Sequence, residues 1–108
     1  MSMKQAVADG SWSAATLNAV HCVISTFDAL TVYHLGVRSA DQRHEDVVKL
    51  IQRARLSGGD EKIKQFLDVV RFKNLVEYDA EEPSELQALR VVQQSERVYA
   101  WAKTNMML

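Results

Sequence analysis

Residues 13–36, SAATLNAVHCVISTFDALTVYHLG, decide the fold class. Leu17, Val20, Ile24, Phe27 and Thr31 recur at spacings of three and four, which places them on one face of an α-helix. Val23 and Leu30 widen that face. Ser13 is placed to cap the start, because its hydroxyl can accept a hydrogen bond from an orphan backbone N–H. Gly36 stands where a helix ends on a left-handed residue. A helix over 13–35 is roughly 35 Å long, enough to run the length of a small domain.

The same reading extends in both directions. Breaks at Asp9-Gly10-Ser11, Gly36 to Ala40, Ser57-Gly58-Gly59-Asp60 and Ala80 to Ser84 divide the chain. A short segment over 2–8 precedes the first break. The segment 41–55 takes Asp41 as N-cap and Glu45 and Asp46 at the positive end of its dipole, with Val47, Leu50, Ile51 and Ala54 as its buried stripe. The segment 60–78 is capped by Asp60 and has two apolar stripes. One is Ile63, Phe66, Leu67 and Val70; the other is Val69, Phe72 and Val76. Two stripes imply contact on two sides: the core, and either a neighbouring helix or a partner chain. The segment 84–105 opens with Ser84 and Gln87 in capping-box spacing. In it Leu86, Leu89, Val92 and Tyr99 face one way with Val91, Val98 and Ala102 beside them, and the tail 106–108 frays.

Short connections between long helices favour antiparallel neighbours. The expected architecture is all-α: an up-and-down bundle of four long helices plus a short N-terminal helix, as one domain over 1–108. Composition agrees. The chain has 108 residues with one proline and four glycines, too few breakers for a sandwich of short strands.

Charge and cysteine usage exclude several classes. With 13 basic and 14 acidic residues, the chain lacks the excess that a dedicated duplex-DNA binder uses to displace counterions. Cys22, the single cysteine, cannot form an internal disulfide or a thiolate zinc cage; it reads as a small buried apolar residue in a reducing cytosol. No uninterrupted apolar run approaches a membrane span and the N-terminus does not read as a signal peptide, so a cytoplasmic location and no membrane partner are expected. There is no glycine-rich phosphate loop, no nucleophile elbow and no paired-cysteine motif, and no cofactor is expected.

The candidate sites are few. His21 and Asp28, seven apart with Ser25 between, share one helix face. Two ligands fall short of a zinc site, so a partly buried polar patch is the simpler reading and no metal is expected. His34 lies at the C-terminal end of that helix, where positive charge is favoured. Arg38 and His44 have a spacing that imitates a ribonuclease pair, but one lies in a loop and the other at a helix start, so no helix face joins them. His44 fits better as packing or capping at the base of the 41–55 segment. Asp79, Glu81, Glu82 and Glu85 form an acidic loop, a possible cation site but more simply a solvated helix approach. Most informative is Arg71-Phe72-Lys73-Asn74-Leu75-Val76-Glu77-Tyr78-Asp79. Arg71, Asn74 and Tyr78 follow helical spacing, and with Asp79 they make a polar end suited to an anion or a partner.

Several pieces in order resemble a HEPN domain over roughly Ala6 to Lys103. These are Gly10-Ser11-Trp12-Ser13-Ala14 before a long helix with Phe27-Asp28-Ala29-Leu30 in its middle, the Gly36 stop, and His44-Glu45-Asp46-Val47-Val48 opening the next helix. Arg71 through Asp79 and the Pro83-Ser84-Glu85 helix start complete the set. Catalytic members of that family carry an Arg-x4-His motif, often with a Tyr two further on, that cleaves RNA without metal, commonly across a dimer interface. Arg71 and Tyr78 match its outer positions, but Val76 occupies the histidine position, and valine cannot transfer a proton. Glu77 points about 100° away on the helix. The resemblance is therefore to the non-catalytic branch of the family, close to nucleotidyltransferase-associated members. It implies a homodimer whose interface includes the 60–78 helix, binding a protein partner such as a nucleotidyltransferase, or a nucleotide-like ligand or RNA, through the Arg71–Tyr78 end. Two alternatives stand beside it: a ribonuclease toxin pairing Arg71 with a displaced histidine, His21 or His44, and a purely structural domain.

Overall fold

A computed structural model of the chain describes residues 11–37, 44–78 and 83–106, with the side chains of 44 and 74–78 outside that description. The described residues form four helices and no strand: α1 (Trp12–Leu35), α2 (His44–Ala54), α3 (Gly59–Tyr78) and α4 (Glu85–Asn105). The helical bundle expected from the sequence is present. The short segment 2–8, the Asp41 cap, Arg38 and the acidic loop at 79–82 lie outside the described residues.

Local chemistry explains most of the helix ends. α1 begins one residue before the expected Ser13. Its N-cap is Ser11, whose carbonyl accepts from Ala15 N–H at 3.0 Å while its hydroxyl makes no cap bond. Ser13 thus lies inside the helix. Gly36 ends α1 as expected, with φ +68° and its N–H donating to Val32 O at 2.9 Å. α3 begins at Gly59 rather than after an Asp60 cap: Gly58, at φ +76°, supplies the carbonyl that accepts from Lys62 N–H at 3.2 Å. Asp60 and Glu61 then sit in the first turn, where the helix dipole favours negative charge. α4 opens with the full capping box. Gln87 N–H donates to Ser84 Oγ at 3.1 Å, and Ser84 N–H donates back to Gln87 Oε1 at 2.9 Å.

One aromatic stack organises the core. The Phe27 and Phe66 rings lie parallel with centroids 4.2 Å apart, and Trp101 tilts against Phe27 at 6.4 Å. Around them Val20, Val23, Leu30, Ile51, Val69, Val91 and Val98 are buried. Each side chain of this size stabilises by about 1.5–3 kcal/mol when fully buried. Trp101 Nε1–H also donates to Ser57 O at 2.8 Å, tying α4 to the turn before α3.

The helices do not keep a strict up-and-down alternation. His34 Nε2 lies 2.8 Å from Asn105 O, so the C-terminal turns of α1 and α4 meet. In a regular four-helix alternation the first and last helices run oppositely. Here α2, at 11 residues, is too short to span the bundle as a full antiparallel member. α3 and α4 are antiparallel, since the C-terminal Trp101 reaches the turn that precedes α3.

Four further expectations change. The two stripes of α3 are largely one: Ile63, Phe66, Val69 and Val70 are buried, Phe72 packs at the core's edge, and Leu67 alone among the described ones is exposed. On α4 the inward face is Ala88, Val91, Val92, Ser95, Val98 and Ala102, while Leu86, Leu89 and Tyr99 are exposed. Of the tail expected to fray, Met106 is buried against the core, and 107–108 lie outside the described residues. Leu17, Ile24, Leu50 and Ala54 are half-buried at the margins of their stripes, as is Cys22.

α1 is also long and apolar enough, by length and composition, to cross a membrane, with an 18-residue window of mean hydropathy 1.2. No uninterrupted run marks it in the sequence, because Ser, Thr and Asn dilute the window without lowering its mean below that level. Half of that window is buried inside the bundle, where α1 touches α2, α3 and α4.

Candidate functional site

The polar end predicted around Arg71 is part of a larger feature. Arg71 lies seven residues before the end of α3, and Arg90 lies five residues after the start of α4. The antiparallel hairpin of these two helices brings the two positions level. Together with Asp68, Phe72 and Gln94 they line a shallow groove of about 170 Å³.

The groove has a packed floor and exposed walls. Phe72 is half-buried and packed on the core. The Arg71 side chain is 78% exposed, and its guanidinium lies 3.7 Å from Asp68 Oδ1, one turn earlier on α3. A contact that long and that exposed contributes little to stability. It leaves Arg71 available to an incoming anion. Among the described residues this is the single ion pair, so the Arg90 guanidinium has no carboxylate partner there.

Other predicted residues are not gathered here. His21 and Ser25 are exposed on α1, so the partly buried patch expected around them is not formed. They sit on the outer surface because α1 turns Ala19, Val20, Val23, Thr26 and Phe27 inward. Asp28 is half-buried and not a free carboxylate, and its backbone carbonyl accepts from Thr31 Oγ1 at 2.9 Å. His34 is committed to the α1–α4 contact through Asn105 O. His44 is the first residue of α2, as expected, but its side chain lies outside the description, as do those of Asn74, Val76 and Tyr78; Asp79 lies outside altogether. Among the described residues no group of three or more His, Cys, Asp or Glu side chains is placed to hold a metal ion.

Arg90 and Gln94 were not singled out from the sequence. Their i, i+4 spacing puts them on one face of α4, which is a weak signal. What selects them is the register of α4 against α3, and a single sequence does not encode that in any short pattern.

A second surface lies on the outer side of α4. Leu86 is 78% exposed and Leu89 39% exposed, and with Arg90, Val92, Gln93 and Glu96 they border an open groove. Leucines aligned along a helix and left in water mark an interaction surface more often than an isolated one does.

No family model, no curated protein and no solved structure matches this chain.

Proposed function

We propose that the chain is a non-enzymatic, HEPN-like helical module that works as a homodimer, pairing through the outer face of α4. The observation that carries this reading is the exposed row of Leu86 and Leu89 beside Arg90, Gln93 and Glu96. An apolar strip edged by both charge signs has the composition of an interface with a polar rim. The family resemblance read from the sequence is the second ground for this reading. The face proposed here is on α4; the resemblance implies one that includes α3, where Leu67 is the exposed residue among the described apolar ones.

The non-enzymatic part rests on Val76 standing at the histidine position of the Arg-x4-His motif. Among the described histidines, neither His21 nor His34 lines the Arg71 groove. The lone, half-buried Cys22 suits a reducing, cytosolic setting.

Light scattering across a concentration series tests the pairing. Wild type is expected to move from monomer to dimer, and Leu86→Glu with Leu89→Glu is expected to stay monomeric with unchanged helical circular dichroism. A wild-type chain that remains monomeric at high concentration overturns the homodimer. A stable 1:1 complex with a nucleotidyltransferase would then assign the face to that partner. Incubation with RNA tests the chemistry: intact RNA is expected, and cleavage abolished by Arg71→Ala would make the chain a ribonuclease.

A further inference from the structure

The charges of α4 are placed differently from those of α2 and α3. Side chains three and four positions apart on a helix are neighbours and can pair. α2 has Glu45 four residues before Lys49, and α3 has Asp60 before Lys64 and Asp68 before Arg71. On α4, Glu85, Arg90, Glu96 and Arg97 are all exposed, yet the positions three and four away from each hold no opposite charge. Among the described residues none of these four makes an ion pair. Any such pair they form must reach beyond α4.

Their order around the helix is not random. Ala88, Val91, Ser95, Val98 and Ala102 face the core, and Gln93 lies on the opposite side. At about 100° per residue, Leu86 and Leu89 fall within about 40° of Gln93. Arg90 and Arg97 lie about 40–60° to one side of it, and Glu96 and Glu85 about 60–80° to the other. The apolar strip therefore has one basic edge and one acidic edge.

From this placement we infer that the second copy docks with its α4 parallel to the first, so that each Arg97 meets the other copy's Glu96 and each Arg90 approaches the other copy's Glu85. This rests on the homodimer proposed above and adds its orientation and the residues that set it. A two-fold axis parallel to the helices brings the basic edge of each copy against the acidic edge of the other, on both sides of the leucines. Pairing end over end brings each edge against its own kind, with Arg97 facing the other copy's Arg90. Charges flanking an apolar seam set orientation in this way in coiled coils. The Glu96–Arg97 level lies about 16 Å along α4 from Glu85. Exposed charges that far apart are largely screened at physiological salt, where the Debye length is about 8 Å. Pairing at that level is therefore insensitive to charge near the start of α4.

The test is the dimer dissociation constant, by analytical ultracentrifugation, of wild type, Arg97→Glu, Glu96→Lys and the variant carrying both. Both side chains are exposed, so helical circular dichroism and the urea midpoint of dilute protein are expected to stay unchanged. Each single variant turns two attractive contacts into two repulsive ones and is expected to weaken pairing roughly tenfold. The double variant restores opposite charges and is expected to recover wild-type affinity, as is an equimolar mixture of the two single variants. Added sodium chloride is expected to weaken the wild-type dimer. End-over-end pairing gives the opposite result, because Arg97→Glu then faces Arg90 and tightens the dimer. An Arg97→Glu protein that pairs as well as wild type or better, or a double variant as weak as the single ones, would overturn the parallel arrangement. If Leu86→Glu with Leu89→Glu still abolishes pairing in that case, the homodimer on α4 stands and only its orientation falls. A wild type that is monomeric at every concentration removes both.

Discussion

α3 and α4 carry similar sequences of apolar and polar residues, yet the bundle treats them differently. α3 sends its large side chains inward: Ile63, Phe66, Val69 and Val70 are buried, and Phe66 supplies half of the central stack. α4 buries a leaner set, with Ala88, Ser95 and Ala102 at positions of no exposure, and leaves Leu86, Leu89 and Tyr99 outside. The difference lies in what each helix packs against. Among the described residues the most extensive helix–helix contact is between α4 and α1, and α1 too has small residues, Ala15, Thr16 and Ala19, at fully buried positions. Small residues on both surfaces let two helices approach closely, and the interaxial distance follows the side chains at the contact. A leucine there would hold them apart. Burial in this bundle is set by the space between helices as much as by hydrophobicity.

Phe66→Ala and Leu86→Ala break that comparison most directly. The first removes one ring from a parallel stack at zero exposure and leaves a cavity beside Phe27. It is expected to cost about 3–5 kcal/mol, enough to unfold a marginal domain. The second removes more hydrophobicity by composition than an alanine-to-glycine change would, but from a site that faces water. It is expected to change monomer stability by no more than about 0.5 kcal/mol. Urea unfolding of dilute protein measures both. Equal costs would mean that Leu86 is covered in the monomer.

Ala88→Leu sharpens the other half. Leu89, next in the sequence, is tolerated because it points outward; the same side chain at Ala88 would have to enter fully buried space. Overpacking of this kind costs about 1–3 kcal/mol. The variant is expected to unfold at lower urea concentration than wild type. A neutral result would show that the space around Ala88 can open at little cost.

These contrasts also mark what was legible in the sequence. The Gly36 stop and the Ser84–Gln87 box could be read because their causes are local: one residue's dihedral preference, and two side chains three positions apart. Ser13 failed as a cap although the pattern allowed it, since the helix starts from Ser11, two residues earlier, with a backbone bond alone. The outward turn of Leu86 and Leu89 was not legible. Periodicity names the faces of a helix, but which face is inside depends on the helices it packs against, here chiefly α1. The candidate site divides in the same way. Arg71 stood out on its own helix, while Arg90 and Gln94 joined it only through the register of the α3–α4 hairpin. His21 looked half-buried because the stripe beside it was apolar, yet the helix rotates it into solvent.

Two buried hydroxyls invite substitutions that stabilise. Thr16 on α1 and Ser95 on α4 are fully buried, and among the described residues their hydroxyls have no hydrogen-bond partner. An unsatisfied buried hydroxyl costs about 1–3 kcal/mol relative to one that is paired. Small size suits both positions; polarity serves neither in the packing described. Ser95→Ala removes the oxygen while keeping the close approach of the helices, and Thr16→Val replaces it at nearly constant volume. Each is expected to raise the unfolding free energy by about 1 kcal/mol, read as a higher urea midpoint at unchanged slope. Destabilisation by either would mean that an ordered water bridges the hydroxyl, for which a buried polar pocket between α1 and α4 would then have to make room.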